Sequence, residues 1–174
     1  CNTLDIELSD ALIKEYKNFR LGPIDLDIPK GVIVGFIGEN GSGKTTTIKL
    51  ILDLIHKTNG EIKIFGKNLE GNHEILNDIG VVFDELNLHE FLTIIDIDKM
   101  FANIYQNWSS SDFDSFTKKL GLDEAKTIKE YSRGMKMKLA LAIALSHNAK
   151  ILILDEATSG LDPVVRDEIL EILM

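Results

Sequence analysis

Residues 38–46 read Gly38-Glu39-Asn40-Gly41-Ser42-Gly43-Lys44-Thr45-Thr46, which matches the phosphate-loop pattern G-x-x-x-x-G-K-[ST] at every defined position. The apolar run at 32–37 before it is of the kind expected for a strand buried on both faces of a parallel sheet. Residues 45–52 follow with apolar side chains at helical spacing. Strand, glycine-rich loop and helix in this order predict an α/β fold with a nucleotide site at the loop.

The residue types in this loop suit a bound phosphate. Glycine lets the backbone approach an anion closely and take up positive φ, so that successive N–H groups and the helix N-terminus face the phosphates. Lys44 would reach the β- and γ-phosphates, and the Thr45 hydroxyl would ligate Mg²⁺. A Rossmann loop is excluded because the third glycine of a G-x-G-x-x-G at 41–46 is Thr46. The loop therefore predicts binding of ATP or GTP, and a glycine-rich turn with a chance lysine is the alternative.

A second apolar strand, predicted at 151–154, ends in two adjacent acids, Asp155 and Glu156. Ligands of open α/β sheets bind at the carboxyl ends of the strands. We therefore expect Asp155 to hold Mg²⁺ opposite Thr45, and Glu156 to orient and deprotonate an attacking water. The alternative is that both acids cap the next helix or lie in solvent. Adjacent acids favour hydrolysis over transfer of the phosphoryl group to a bound acceptor.

Residues 131–135 read Tyr-Ser-Arg-Gly-Met and open a strongly apolar helix. Ser132 occupies the position of an N-cap residue, so the free N–H groups of the helix N-terminus would face an anion. A capped, buried helix alone would give the same pattern. The order of the motifs is more specific than the capped helix alone. Along the chain, the phosphate loop is followed by the capped helix, the acidic strand end and Ser159-Gly160-Leu161-Asp162.

These motifs, in this order, resemble those of the ATP-binding domains of ABC transporters over nearly the whole chain. The stretch at 131–135 is similar to the family's signature sequence in the ABC-2 export class, which includes bacitracin- and antibiotic-efflux types. Ser132 and Gly134 match that signature, whereas Arg133 and Met135 stand where a glycine and a glutamine are usual.

The resemblance implies roles in a head-to-tail pair of ATP-binding domains. Ser132 and Gly134 would contact the γ-phosphate held by the other subunit, and Asp162 would contact that subunit across the interface. Tyr16 would stack on adenine, with an ordinary strand-edge tyrosine as the alternative. The partners implied are a second ATP-binding domain, identical or a paralogue, and a separate transmembrane permease chain. The chain would act at the cytoplasmic face of the membrane.

The resemblance also implies a P-loop NTPase (RecA-like) α/β core with an N-terminal antiparallel β section and an α-helical subdomain that carries the signature. In one domain, we expect the core at approximately 1–85 and 136–174 and the subdomain at 86–135. Alternating strands are predicted within 2–30. Helices are predicted at 93–106 and 112–120, with Ser109 among the candidate caps and Gly121 as the stop. Trp108 should pack between these helices.

The chain departs from the family pattern at two places. Asp84 stands where a glutamine usually follows a strand, here predicted at 79–83, and an ionised carboxylate cannot donate a hydrogen bond. The family's switch histidine lies on a strand beyond the helix in which this chain stops, and His147 precedes the acidic strand. We therefore expect a fragment that ends before the histidine strand and hydrolyses ATP weakly by itself.

The amino-acid composition excludes several classes of protein. The 174 residues suit one domain, and a formal net charge of −9 argues against general nucleic-acid binding. A single cysteine excludes a disulfide framework and fits a reducing cytosol. No apolar run approaches the roughly 18 residues of a membrane span.

Three functions remain. The first is a Mg²⁺-dependent ATPase that energises a membrane transporter, for which export is favoured by the signature. The second is a soluble ABC ATPase that acts on ribosomes or DNA, and the third is a nucleotide-gated binding module. The adjacent acids Asp155 and Glu156 argue against the third.

Overall fold

The computed structural model describes residues 3–8, 24–39, 41–156 and 162–173. The chain divides into two compact units, and each is described by itself. Unit 1 is Cys1–Leu76 and unit 2 is Asn77–Met174.

Unit 1 contains an antiparallel sheet of four strands in the order β2-β1-β3-β4. The strands are β1 (Thr3–Leu8), β2 (Ile24–Pro29), β3 (Glu61–Ile64) and β4 (Lys67–Asn68), and helix α1 covers Lys44–Ile51. Strands β1 and β2 pair from Thr3↔Pro29 to Leu8↔Ile24. The predicted N-terminal antiparallel section is therefore confirmed. Phe65 and Gly66 join β3 to β4 with φ of 54° and 74°, and positive φ at both positions is what a two-residue type I′ hairpin requires.

The apolar run at 32–37 differs from its prediction. Residues 32–39 form no strand, and Ile33 and Ile37 are 93% and 94% exposed. A buried strand needs a neighbour on both edges to satisfy its N–H and C=O groups. The described strands of unit 1 pair in the sheet β2-β1-β3-β4, which does not include this run. The prediction of a buried strand here is therefore wrong: apolar side chains favour burial but do not by themselves provide a pairing partner.

The described part of unit 2 contains two parallel strands and four α-helices. Strand β5 (Ile79–Val82) pairs with β6 (Ile151–Leu154) in the register Ile79↔Ile151 to Val82↔Leu154. The helices are α2 (Ile94–Ile104), α3 (Ser110–Lys119), α4 (Arg133–Leu145) and α5 (Pro163–Leu173). Short 3-10 helices cover His73–Asp78, at the passage from unit 1 to unit 2, and Ile128–Glu130.

Local capping explains where α2 and α3 begin and end. Thr93 and Asp96 form a reciprocal capping box at the start of α2. The Ser109 hydroxyl accepts a hydrogen bond from Asp112 N at 3.2 Å, which confirms Ser109 as the cap of α3. Gly121 follows α3 with a φ of 66°, the left-handed conformation that ends many helices. The predicted helix boundaries were correct to within about two residues.

An aromatic cluster joins α2 to α3. Trp108 stacks on Phe101 with ring centroids 5.3 Å apart and lies 5.1 Å from Phe113. Its indole N–H donates to Asp98 Oδ1 at 2.7 Å. The predicted packing of Trp108 between the helices is therefore confirmed.

Helix α4 lies directly on β5. A Cβ at Gly80 would be 2.5 Å from Ala144 O, so glycine is required for this approach. The buried His147 ring adds a second link, because Nε2 lies 3.2 Å from Ile79 O and Nδ1 lies 3.3 Å from Ile143 O. Tyr105 stacks on this ring at 4.3 Å.

We expect Gly80→Ala to lower the free energy of unfolding by about 2 kcal/mol, since overpacking of a well-packed core costs ~1–3 kcal/mol. Urea unfolding of both proteins would measure the change. Gly35→Ala is the matched control, because among the described residues a Cβ there would meet only Ile37, at 3.8 Å. An equal loss in both variants would show that the approach to Ala144 is not the cause.

Candidate nucleotide-binding site

The phosphate loop of unit 1 uses its glycines for both conformation and close approach. Gly41 and Gly43 have φ of 82° and 98°, as the predicted positive φ requires. A Cβ at Gly38 would lie 2.5 Å from Ser42 Oγ, so a side chain there would collide with the loop. Ser42 N donates to Glu39 O at 3.1 Å and closes the turn. Asn40, also predicted to bind nucleotide, lies outside the described residues.

The Lys44 side chain folds back across this loop. Its ammonium donates to Gly38 O at 2.7 Å and to Glu39 O at 3.0 Å. These two bonds hold a positive charge at the loop, where the sequence predicts phosphate. An ammonium has three donors, so it could exchange carbonyl partners for phosphate oxygens, which form stronger charge-assisted hydrogen bonds.

Helix α1 begins at this loop without a side-chain cap from the described residues. Its N-cap residue is Gly43, and none of the described side chains accepts a hydrogen bond there. A helix N-terminus that follows a glycine-rich loop is a common binding site for phosphate. Thr45 is exposed and Thr46 half-buried in this turn. Tyr16, the predicted adenine-stacking residue, lies outside the described residues.

Three acids follow the paired strands of unit 2. Asp155 comes directly after β6, is 8% exposed, and donates its backbone N–H to Val82 O at 2.9 Å. Asp84 lies two residues beyond Val82 and is exposed. Because β5 and β6 are parallel, Asp84, Asp155 and Glu156 emerge at the same edge of this sheet.

Glu156 has a backbone conformation that the sequence did not predict. Its φ is 52°, in the left-handed region, and its side chain is exposed. A residue with a Cβ pays roughly 1–2 kcal/mol to adopt this region. Strain of this size is concentrated at functional sites, and here it falls on the predicted general base.

The signature stretch caps α4 as predicted. The exposed Ser132 accepts a hydrogen bond from Met135 N at 3.2 Å through its Oγ. That bond uses an oxygen lone pair and leaves the hydroxyl proton free to donate. The preceding Tyr131 is buried, and its OH donates to Asp123 O at 2.8 Å. Burial, with the nearby Asp123 and Glu124 carboxylates, raises the pKa of Tyr131 to about 12.

Asp162 caps the start of α5. Its Oδ1 accepts from Val164 N at 2.9 Å, and its carbonyl accepts from Arg166 N at 3.0 Å. Residues 157–161, which include most of the Ser159–Asp162 motif, lie outside the described residues.

Unit 2 also contains a cavity of about 490 Å³ that the sequence did not predict. One side is formed by residues 83–87, with the acids Asp84 and Glu85, and the other by α4, with Arg133 and Lys136. The sequence could have drawn attention to Lys136, because a basic residue near the N-terminus of a helix interacts unfavourably with the helix dipole. The structure thus places the predicted site residues in two groups, the phosphate loop in unit 1 and the acids, signature and Asp162 in unit 2.

A family model for ABC transporters matches residues 21–159. The chain belongs to the ABC transporter family. The P-loop NTPase α/β fold predicted from the sequence is confirmed by a solved ATP-binding subunit of an ABC transporter. That structure is 25% identical, with a TM-score of 0.83 over 99% of this chain and 73% of that one.

Two curated relatives of this ABC-family chain are named for antibiotic transport. The bacitracin transport ATP-binding protein BcrA of Enterococcus faecalis is 34% identical over 165 residues, which are 92% of this chain and 54% of BcrA. The lantibiotic transport ATP-binding protein SrtF of Streptococcus pyogenes is 36% identical over 93% of this chain and 71% of SrtF. The chain thus spans about half the length of BcrA. None of the helices in the described part of the chain is long and apolar enough to cross a membrane.

Ser132 variants can separate capping from any role at the nucleotide. Ser132→Ala should cost about 1 kcal/mol of unfolding free energy, because the cap is lost, whereas Ser132→Asp keeps a capping oxygen and should cost little. Both should lower ATP turnover by the full-length protein, since neither offers a hydroxyl donor and the aspartate would repel phosphate. Urea unfolding and phosphate release are the two measurements. Wild-type turnover by Ser132→Asp would limit Ser132 to capping.

Proposed function

We propose that this chain is the ATP-binding and ATP-hydrolysing part of a membrane exporter. The observation that carries the proposal is the phosphate loop, where the Lys44 ammonium and the N-terminus of α1 concentrate positive charge. The names of BcrA and SrtF support transport of antibiotic-type compounds.

The loop would bind ATP by exchanging hydrogen-bond partners. Lys44 would release the carbonyls of Gly38 and Glu39 and pair with the β- and γ-phosphates. The N–H groups of the first turn of α1 would bind further phosphate oxygens, favoured by the helix dipole.

The Thr45 hydroxyl of unit 1 and the Asp155 carboxylate of unit 2 are each an oxygen ligand of the kind that Mg²⁺ prefers, so the chemistry of each residue suits the ion. Bound Mg²⁺ would neutralise charge on the β- and γ-phosphates. Glu156 would orient the attacking water and accept its proton, for which its exposed side chain is suited. An ionised Asp84 at the same edge could accept hydrogen bonds from water but could not donate to the γ-phosphate.

The second ATP-binding domain would close the site from the opposite side. The free hydroxyl proton of Ser132 and the N-terminus of α4 would donate to the γ-phosphate bound by the other subunit. Each γ-phosphate would then receive charge-assisted hydrogen bonds from two chains, which favours association when ATP is bound and separation after hydrolysis. This cycle would drive a separate transmembrane permease at the cytoplasmic face of the membrane.

The full-length Glu156→Gln variant should bind ATP with wild-type affinity and hydrolyse it about 10²–10³-fold more slowly, because the amide cannot accept the water's proton. ATP binding and phosphate release would be measured in parallel. Glu124→Gln, an exposed acid on a loop of unit 2, is the control and should leave turnover unchanged. Unchanged turnover in Glu156→Gln would refute the general-base assignment.

The transporter proposal is tested by what binds the full-length protein in its native cells. After mild detergent extraction, a multi-span membrane protein should co-purify with the tagged chain in stoichiometric amount. Recovery with ribosomes or nucleic acid from the soluble fraction would instead favour an ABC ATPase that acts without a permease.

A further inference from the structure

We propose that Val165 is a positioning residue for the signature stretch, because its methyl groups pack where a side chain at Gly134 would project and so tie Ser132 to α5. The proposal rests on the proposed function, in which Ser132 meets the second subunit. It explains the glycine at position 134 by a contact within its own chain and not by a contact with phosphate.

Conformation does not explain a glycine at position 134. The residue lies in the first turn of α4 and is not among the glycines with positive φ. Glycine costs roughly 1 kcal/mol relative to alanine in a helix. The other usual reason for a glycine is a close approach, here either by phosphate or by another part of the chain.

The structure supplies such an approach from α5. A Cβ at Gly134 would lie 3.4 Å from both Cγ1 and Cγ2 of Val165. These distances are just below the 3.5–4.0 Å at which carbon atoms attract most strongly. The two methyl groups of Val165 therefore lie over the backbone of α4 at Gly134, two residues after the Ser132 cap.

Two further contacts extend this pairing along both helices. Lys138 Nζ lies 2.5 Å from a carboxylate oxygen of Glu168, about one turn beyond Gly134 and Val165. Ile169 is 2% exposed and shares an apolar cluster with Met137 and Leu141 of α4. Helices α4 and α5 therefore run in the same direction, with their capped N-termini at the same end.

This arrangement couples the two caps. Ser132 caps α4 and Asp162 caps α5, so Gly134 and Val165 form the contact between the two helices that lies nearest to both caps. A catalytic group displaced by about 1 Å can lose roughly 10²-fold in rate. A shift of a few tenths of an ångström at Ser132 should therefore cost several-fold in turnover.

A double-mutant cycle on the full-length protein tests the inference, with Gly134→Ala, Val165→Ala and the combined variant. Each single change should lower kcat about 3- to 10-fold with the KM for ATP nearly unchanged, because ATP binds first to the other subunit's phosphate loop. The combined variant should recover most of the loss, since the new methyl group fills the space of the deleted ones. If phosphate alone requires the glycine, Val165→Ala will not rescue Gly134→Ala, and the proposal is overturned.

Controls separate this result from misfolding and from failure of the proposed function. Val164→Ala makes the same deletion at a neighbouring side chain that is 65% exposed, and it should not change kcat. Val165→Ile keeps both γ-carbons and should keep kcat near wild type. ATP turnover by the wild-type protein that Lys44→Ala abolishes would establish the ATPase activity itself. If the wild-type protein shows no such turnover, the proposed function is refuted independently of the double-mutant cycle. Thermal unfolding of each variant checks that the compared proteins are folded.

Discussion

The contact between the C-terminal end of α4 and β5 determines the layout of unit 2. At Gly80 the carbonyl of Ala144 approaches so closely that a Cβ would be 2.5 Å away. The His147 ring then lies between the carbonyls of Ile79 and Ile143. Helix α4 is continuous over 13 residues, about 20 Å, so fixing one end sets the direction of the other. The position of the Ser132 cap therefore depends on contacts made three turns away.

Positive charge at the N-terminal end of α4 is unfavourable to the helix dipole. Arg133 and Lys136 lie in or near the first turn, which contains no acid. An exposed cation in the first turn, such as Arg133, costs about 0.3–1 kcal/mol against the helix dipole. Asp84 and Glu85 line the same cavity from the loop after β5, so opposite charges face this helix end. The acids across the cavity offset part of this cost, because opposite charges attract even without direct contact.

Features governed by neighbours in sequence could be predicted. Ser109, Gly121 and Ser132 were identified as helix boundaries because capping depends on side chains within a few residues. The position of Asp155 followed from an apolar run that ends in acids. The exposed run at 32–37 was not predicted, since pairing depends on strands far away in sequence. The contact of Gly134 with Val165 joins residues 31 positions apart, and no local pattern indicates it.

The turn after β6 gives two adjacent acids different surroundings. The β ladder continues as far as Asp155, whose N–H donates to Val82 O and whose side chain is buried. At Glu156 the backbone enters the left-handed region and leaves the sheet, and the side chain reaches solvent. A regular strand would only have placed the two side chains on opposite faces. The strained turn instead keeps one carboxylate buried, which suits the Mg²⁺ ligand that we propose, and exposes the other to water, which suits the general base that we propose. The conformational cost at Glu156 is thus consistent with different proposed roles for two carboxylates that are adjacent in the chain.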